Sequence, residues 1–162
     1  MAPPAQSGYV GVDMKCVPIG RVKSPVSEGV DLGWGSVTSE IHMDRKYADG
    51  LTGIEAFSHI VVVFEMHLST WTPGNDLVRR PQGRADMPRI GIFAQRAKHR
   101  PNPIGITSVR LLGVDGNVLR VQGLDAIDGT PVLDIKPYFP QFDAAQDAHT
   151  PEWVGRVMSG YF

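Results

Sequence analysis

The 162-residue sequence predicts an all-β fold: a small closed or nearly closed barrel of about seven strands with short peripheral helices. Three observations point that way. Its apolar runs are short, β-branched and in places strictly alternating, which is the period of a strand. Eighteen glycines and 13 prolines are scattered along the chain, so any helix is short. The strand-like runs also follow one another at fairly even spacing without long helices between them. That excludes a doubly wound sheet and favours a barrel, which leaves no exposed edge.

In chain order, "KCVPIGRV" reads as a first strand. "GWGSVTSEIHM" alternates, with Val37, Ser39, Ile41 and Met43 on one face and Thr38, Glu40 and His42 on the other, the pattern of a half-buried strand. "DRKYADGL" is one or two helical turns with Asp44 as N-cap and Gly50 as the stop. "HIVVVFEMHL" is continuously apolar and reads as a central strand buried on both faces. "WTPGNDLVRRPQGRADMP" is a long irregular loop, a length usually kept for function. "RIGIFAQR" reads as a further strand. "GITSVRLLGV", "DGN" and "VLRVQGL" form the strongest hairpin signal of the chain. "PVLDIKPYF" is a short strand ending at a proline. "TPEWVGRVM" is a closing helix with Thr150 as cap and Pro151 at its first position.

Hydrophobic residues make up 42% of the chain, a globular composition. Residues 1–15 read as a flexible N-terminal tail and 16–162 as one domain. The single cysteine, Cys16, excludes an internal disulfide and a multi-cysteine zinc site; it fits a cytoplasmic setting. No apolar run is long enough to span a membrane as a helix, and the N-terminus has no signal-peptide pattern. A net charge of −1 is not that of a generic nucleic-acid binder, and nothing marks the chain for DNA.

The distribution of charge is more informative than its sum. Between Arg79 and Arg110 lie eight of the 16 lysines and arginines and only one acid, Asp86. Within it, "AQRAKHRPNPIG" places Arg96, Lys98, His99 and Arg100 ahead of Pro101-Asn102-Pro103. Proline fixes its own φ and extends the residue before it, so this cationic loop is rigid and suited to an anion. A second segment, 123–138, holds Asp125, Asp128 and Asp134 with one cation, Lys136, around the turn Asp128-Gly129-Thr130-Pro131. Cations on one side and carboxylates on the other could clamp a zwitterionic ligand.

P-loop, Rossmann, zinc-hydrolase and zinc-deaminase motifs are all absent; "GWG" lacks the rest of a Rossmann fingerprint. The five histidines, His42, His59, His67, His99 and His149, are too dispersed to assert a metal site.

Four segments carry a resemblance: "PIGRVKSP", "GIEAFSHIVVVF", "PRIGIFAQRAKHRPNPIG" and "LDAIDGTPVLDIKPY". From about Val17 to Tyr138 the chain resembles the TsaA/TrmO-like family. The resemblance implies an S-adenosyl-L-methionine-dependent methyltransferase, built as a small β-barrel and acting as a homodimer, whose best-known members methylate N6 of threonylcarbamoyladenosine beside the anticodon of tRNA. It puts Ser24, Pro25, His59, Arg96 and Ile106 at the cofactor, with Asp125, Asp128, Gly129, Thr130 and Pro131 as a further wall. Lys98, His99, Arg100, Asn102 and Lys136 would face the RNA. Asp128 would serve catalysis by accepting hydrogen from the adenine nitrogen, and Trp71, Tyr138 or Phe139 could stack on a base. The chain departs from the family at Ala97, where a serine is usual, and brings in Lys98 and His99. Longer bacterial members carry a further C-terminal domain, whereas this sequence ends soon after the barrel. Two other functions fit the same residues: methylation of a small-molecule acceptor, and a non-catalytic S-adenosyl-L-methionine-binding module.

Overall fold

The computed structural model describes residues 14–162. Most of the expected N-terminal tail therefore lies outside the described residues; Met14 and Lys15, at its end, are exposed and outside regular structure. The strands are β1 (Gly20–Lys23), β2 (Thr38–Met43), β3 (His59–Glu65), β4 (Val78–Arg79), β5 (Ile90–Gly91), β6 (Ile104–Asp115), β7 (Val118–Gln122) and β8 (Pro131–Pro137). Three short helices accompany them: α1 (Pro73–Asp76), α2 (Pro140–Asp143) and α3 (Glu152–Met158).

Six strands close an antiparallel barrel in the order β1-β2-β7-β6-β3-β8. The expected barrel is present with one strand fewer. The difference is "RIGIFAQR": only Ile90–Gly91 is extended, and it pairs with β4 in a separate two-stranded sheet. The chain then turns through a 3₁₀ helix, Ile92–Ala94, that buries Ile92 and leaves Phe93 77% exposed. The preceding loop is thus less irregular than expected, since it holds α1 and β4.

β3 is the central strand anticipated from its sequence. It pairs along its length with β6 and β8, and Ile60, Val62 and Phe64 are almost wholly buried. β2 alternates as read, with Ser39, Ile41 and Met43 inward. Ile41 and Met43 join Ile60, Val62, Phe64, Val22, Val109, Leu119, Val121, Leu124 and Val132 in one core. Such burial contributes about 25 cal/mol per Å² of apolar surface removed from water. Phe64 lies across Gly105 of β6, where any Cβ would overlap its ring. The seams differ greatly in length: β3 and β6 share seven register pairs, β1 and β8 only two, Gly20↔Val132 and Arg21↔Pro131.

Three local expectations are corrected. The segment 44–51 holds a 3₁₀ helix, Arg45–Leu51; the Asp44 side chain makes no capping bond, and the helix runs past Gly50 to Leu51, with Thr52 as its C-cap. α3 starts at Glu152 with Pro151 in the N-cap place, so Thr150 does not cap it. Helix ends shift by a residue or two where no side chain locks them. The first strand begins only at Gly20. Among the described residues no helix is long and apolar enough to cross a membrane.

Candidate cofactor and nucleic-acid site

The barrel end where β3 finishes and β8 begins gathers most of the expected site. Arg96 follows the 3₁₀ turn, and its Nη2 donates to the Ile106 carbonyl at 2.6 Å. The Ile106 side chain stays half exposed beside it. The next residue, Thr107, faces inward, and its hydroxyl donates to one carboxylate oxygen of Asp125. The Tyr161 hydroxyl donates to the other at 2.7 Å. Burial first, then the Asp125 carboxylate and the Asp31 charge, push the Tyr161 phenol far above its ordinary pKa; the Arg96 guanidinium acts in the opposite sense. Arg96 and Asp125, read from sequence as opposite jaws, therefore act on one phenol.

The turn beyond Asp125 is pinned to the loop after β1. Ser24 N–H donates to the Asp128 carboxylate at 3.0 Å, and Asp128 N–H to the Val26 carbonyl at 2.8 Å. Gly129 N–H donates to Val22, Val22 N–H to Thr130, and Arg21 Nη1 to Gly129. Ser24, Pro25, Asp128, Gly129, Thr130 and Pro131 therefore form one unit, with Asp128 exposed at its rim. Lys98 reaches the same loop, its Nζ 3.3 Å from where a Cβ on Gly29 would stand.

The basic loop divides by role. The His99 ring is fixed on Thr70, with Nδ1 2.9 Å from its carbonyl oxygen, and Ser69 Oγ ties the loop at the Lys98 carbonyl. Arg100 turns inward and donates to the carbonyls of Ile92 and Gln95 at 3.1 and 2.7 Å. It organises the loop in place of facing outward, where an RNA contact would need it. Asn102 is exposed, its carbonyl accepting from Ile104. Of the eight cations between Arg79 and Arg110, Arg79 and Arg84 have a carboxylate within 4.0 Å among the described residues: Asp76 and Asp86. Arg80, Arg89, Arg96 and Arg100 bond to backbone carbonyls, which leaves their charge uncompensated.

Two expected residues stand apart. His59 pairs with Arg110, whereas Ile106 pairs with Val63; the two pairs are four steps apart along the strand, roughly 13 Å at about 3.3 Å each. His59 instead accompanies Ser58 and the Tyr138 ring. Lys136 lies toward that same end, opposite Val61, on Asp134 at 2.7 Å, whose hydrogen bond raises its pKa. Neither joins the Arg96–Asp125 group within one chain, because the antiparallel register fixes both at the other end of the barrel wall. Of the stacking candidates, Phe139 lies against Phe57 with ring centroids 5.8 Å apart.

Thr107 and Tyr161 were not anticipated. Thr107 offered a signal, a hydroxyl on the inward face of an otherwise apolar strand. Tyr161 offered none, since only the fold returns it to Asp125. A separate cleft of about 450 Å³ lies between residues 80–88 and α3, lined by Arg80, Met87, Trp153 and Arg156; Asp86 there pairs with Arg84 and Arg156 with Glu152, while Arg80 donates to the Met87 carbonyl.

Comparison with known proteins bears on this site. Residues 31–144 match the family model of the tRNA-methyltransferase O N-terminal domain. A probable S-adenosyl-L-methionine-binding protein of Methanothermobacter thermautotrophicus is 41% identical over 137 residues, 82% of this chain and 96% of that one. The tRNA (adenine(37)-N6)-methyltransferase of Escherichia coli is 41% identical over 143 residues, 80% of this chain and 60% of that enzyme. The crystal structure of TrmO from Pseudomonas aeruginosa superposes with a TM-score of 0.70 at 32% identity, over 86% of this chain and 61% of that one. This chain thus spans about three fifths of these two longer proteins.

Proposed function

The chain belongs to the family of the tRNA-methyltransferase O N-terminal domain, and from that membership we propose that it is an S-adenosyl-L-methionine-dependent methyltransferase acting on adenosine 37 of tRNA. The acceptor is N6 of threonylcarbamoyladenosine, in a loop whose base is already unpaired and cheap to extrude. One structural observation carries the reading: a guanidinium with no carboxylate partner among the described residues, Arg96, and a carboxylate held by two hydroxyls, Asp125, meet at one barrel end.

The donor set fits the cofactor. Arg96 would hold its carboxylate, Asp125 its hydroxyls or ammonium, and the half-exposed Ile106 its apolar surface. When bound, the cofactor supplies a methyl group on a positively charged sulfur. The protein's task is alignment beside carboxylates that suit that charge. Asp128, fixed by the Ser24 N–H, is the group we assign to accept the adenine N6 hydrogen. Lys98, with the exposed Arg80 and Arg89, would meet tRNA phosphates.

His59 lies toward the opposite end of β3 from Val63, the residue that pairs with Ile106. A homodimer would bring a second His59 to the site, and the exposed Phe93, Ile104 and Ile106 offer it an apolar seat. The cytoplasm, where tRNA is modified, is the compartment we assign.

The test is to incubate the protein with labelled cofactor and cellular RNA and locate the label. Label on the adenosine next to the anticodon of threonine tRNA is expected; RNA left unlabelled beside an active longer family member overturns the reading. The M. thermautotrophicus relative, matched over nearly its whole length, is named only for cofactor binding. That favours a second reading, a non-catalytic S-adenosyl-L-methionine-binding module, which tight cofactor binding with no label transferred to any acceptor would select.

A further inference from the structure

The "GWG" motif, which fits no nucleotide fingerprint, has a clear use in the fold: it seats the segment Gly160–Phe162. Gly33 N–H donates to the Gly160 carbonyl and Trp34 N–H to the Tyr161 carbonyl, both at 2.8 Å. The Trp34 ring is buried, and its indole N–H donates to Val30 at 2.9 Å. A Cβ on Gly35 would stand 2.5 Å from the Phe162 carbonyl carbon, so only glycine admits the segment at this distance. The result is a Tyr161 hydroxyl on Asp125.

We propose that Tyr161 is a positioning residue of the cofactor site, acting through Asp125. The inference rests on the cofactor assignment made above and concerns a residue beyond the family match, which ends at 144. A carboxylate has about four lone-pair positions. Here each oxygen takes one hydroxyl donor, Thr107 on one side and Tyr161 on the other. Two donors from separate parts of the chain stop the carboxylate from rotating, and its remaining lone pairs then face a fixed direction. The donors are also neutral. A lysine in place of Tyr161 would cancel the negative charge; a phenol orients Asp125 and leaves that charge for ligand hydroxyls or an ammonium. The raised phenol pKa keeps the proton in place across the working pH range.

Isothermal titration with S-adenosyl-L-methionine tests this on the full chain, as wild type, Tyr161→Phe, Asp125→Asn and the double variant. Tyr161→Phe keeps the ring and is expected to weaken binding about tenfold, the size of one hydrogen bond to a charged group. In the Asp125→Asn background the same change should add nothing, because the group it acts through has changed; a merely structural tyrosine would show the full loss in both backgrounds. Gly35→Ala provides a second route. It dislodges the segment without altering a site side chain, and should reproduce the loss even if Tyr161→Phe folds poorly. Wild-type affinity in Tyr161→Phe, or an equal loss in both backgrounds, overturns the inference while the cofactor reading stands. Absence of binding by the wild type overturns both.

Discussion

A guanidinium that donates to a backbone carbonyl keeps its whole charge, and this separates Arg96 from Arg84, whose charge Asp86 meets at 2.7 Å. Arg96→Ala is therefore expected to weaken cofactor binding by about 1.5–3 kcal/mol, the range for a hydrogen bond to a charged group, as read by calorimetric titration. Asp128→Asn keeps an oxygen for the Ser24 N–H but loses basicity. It should lower kcat by roughly 10²-fold or more and leave cofactor affinity near wild type, which single-turnover methylation would show. Tyr161 carries a pH signature. Its folded pKa lies above its unfolded value near 10, so its contribution is complete below about pH 10 and is lost as pH rises beyond that. Melting temperatures recorded upward from pH 9 should fall more steeply for the wild type than for Tyr161→Phe. At this scale Arg96, Asp125 and Asp128 were legible because charge patterning and turn chemistry are local. Tyr161 was not, because its partner lies 36 residues earlier and no local pattern marks a tyrosine that returns across a fold.

Among the elements, β3, β6 and β7 followed from their residues: β-branched runs, alternation and an Asp-Gly-Asn turn all act over a few positions. "RIGIFAQR" misled because its apolar residues suit a strand, yet only Ile90–Gly91 is extended. After Gly91 the chain turns, Ile92 goes inward, and the backbone is held by side chains: Arg100, from outside the segment, on the Ile92 and Gln95 carbonyls, and Gln95 Nε2, from within it, on those of Arg79 and Ile90. Such side-chain bonds to the backbone override a local strand signal. β6 also depends on a void at Gly105, into which the Phe64 ring fits. Gly105→Ala should destabilise the protein by about 1–3 kcal/mol through overpacking, seen as a lower urea midpoint with an unchanged slope.

Across the whole molecule the net charge of −1 conceals a cationic segment, Arg79 to Arg110, and its outward cations set the expected behaviour with tRNA. Affinity should fall linearly on a log–log plot against salt, and Lys98→Ala should reduce the slope by about 0.7–0.9, one phosphate contact. A filter-binding series at several salt concentrations would measure both; a slope that Lys98→Ala leaves unaltered would remove Lys98 from the RNA surface. The closed barrel was foreseeable from strand spacing, whereas the membership of its wall was not, because pairing between distant strands is settled only when the sheet closes.

The barrel is zipped unevenly. Where β1 meets β8, two residue pairs complete the cylinder, immediately beside the Ser24–Asp128 lock. The least-fastened join in the wall therefore borders the site itself. Thermal breathing should begin there, and amide protons of Gly20–Lys23 should exchange with solvent sooner than those of β3. A ligand bridging the Ser24–Pro25 loop after β1 and the 125–131 turn before β8 would act as a clasp across that join, so slower exchange at β1 would register its arrival without any need to observe the chemistry.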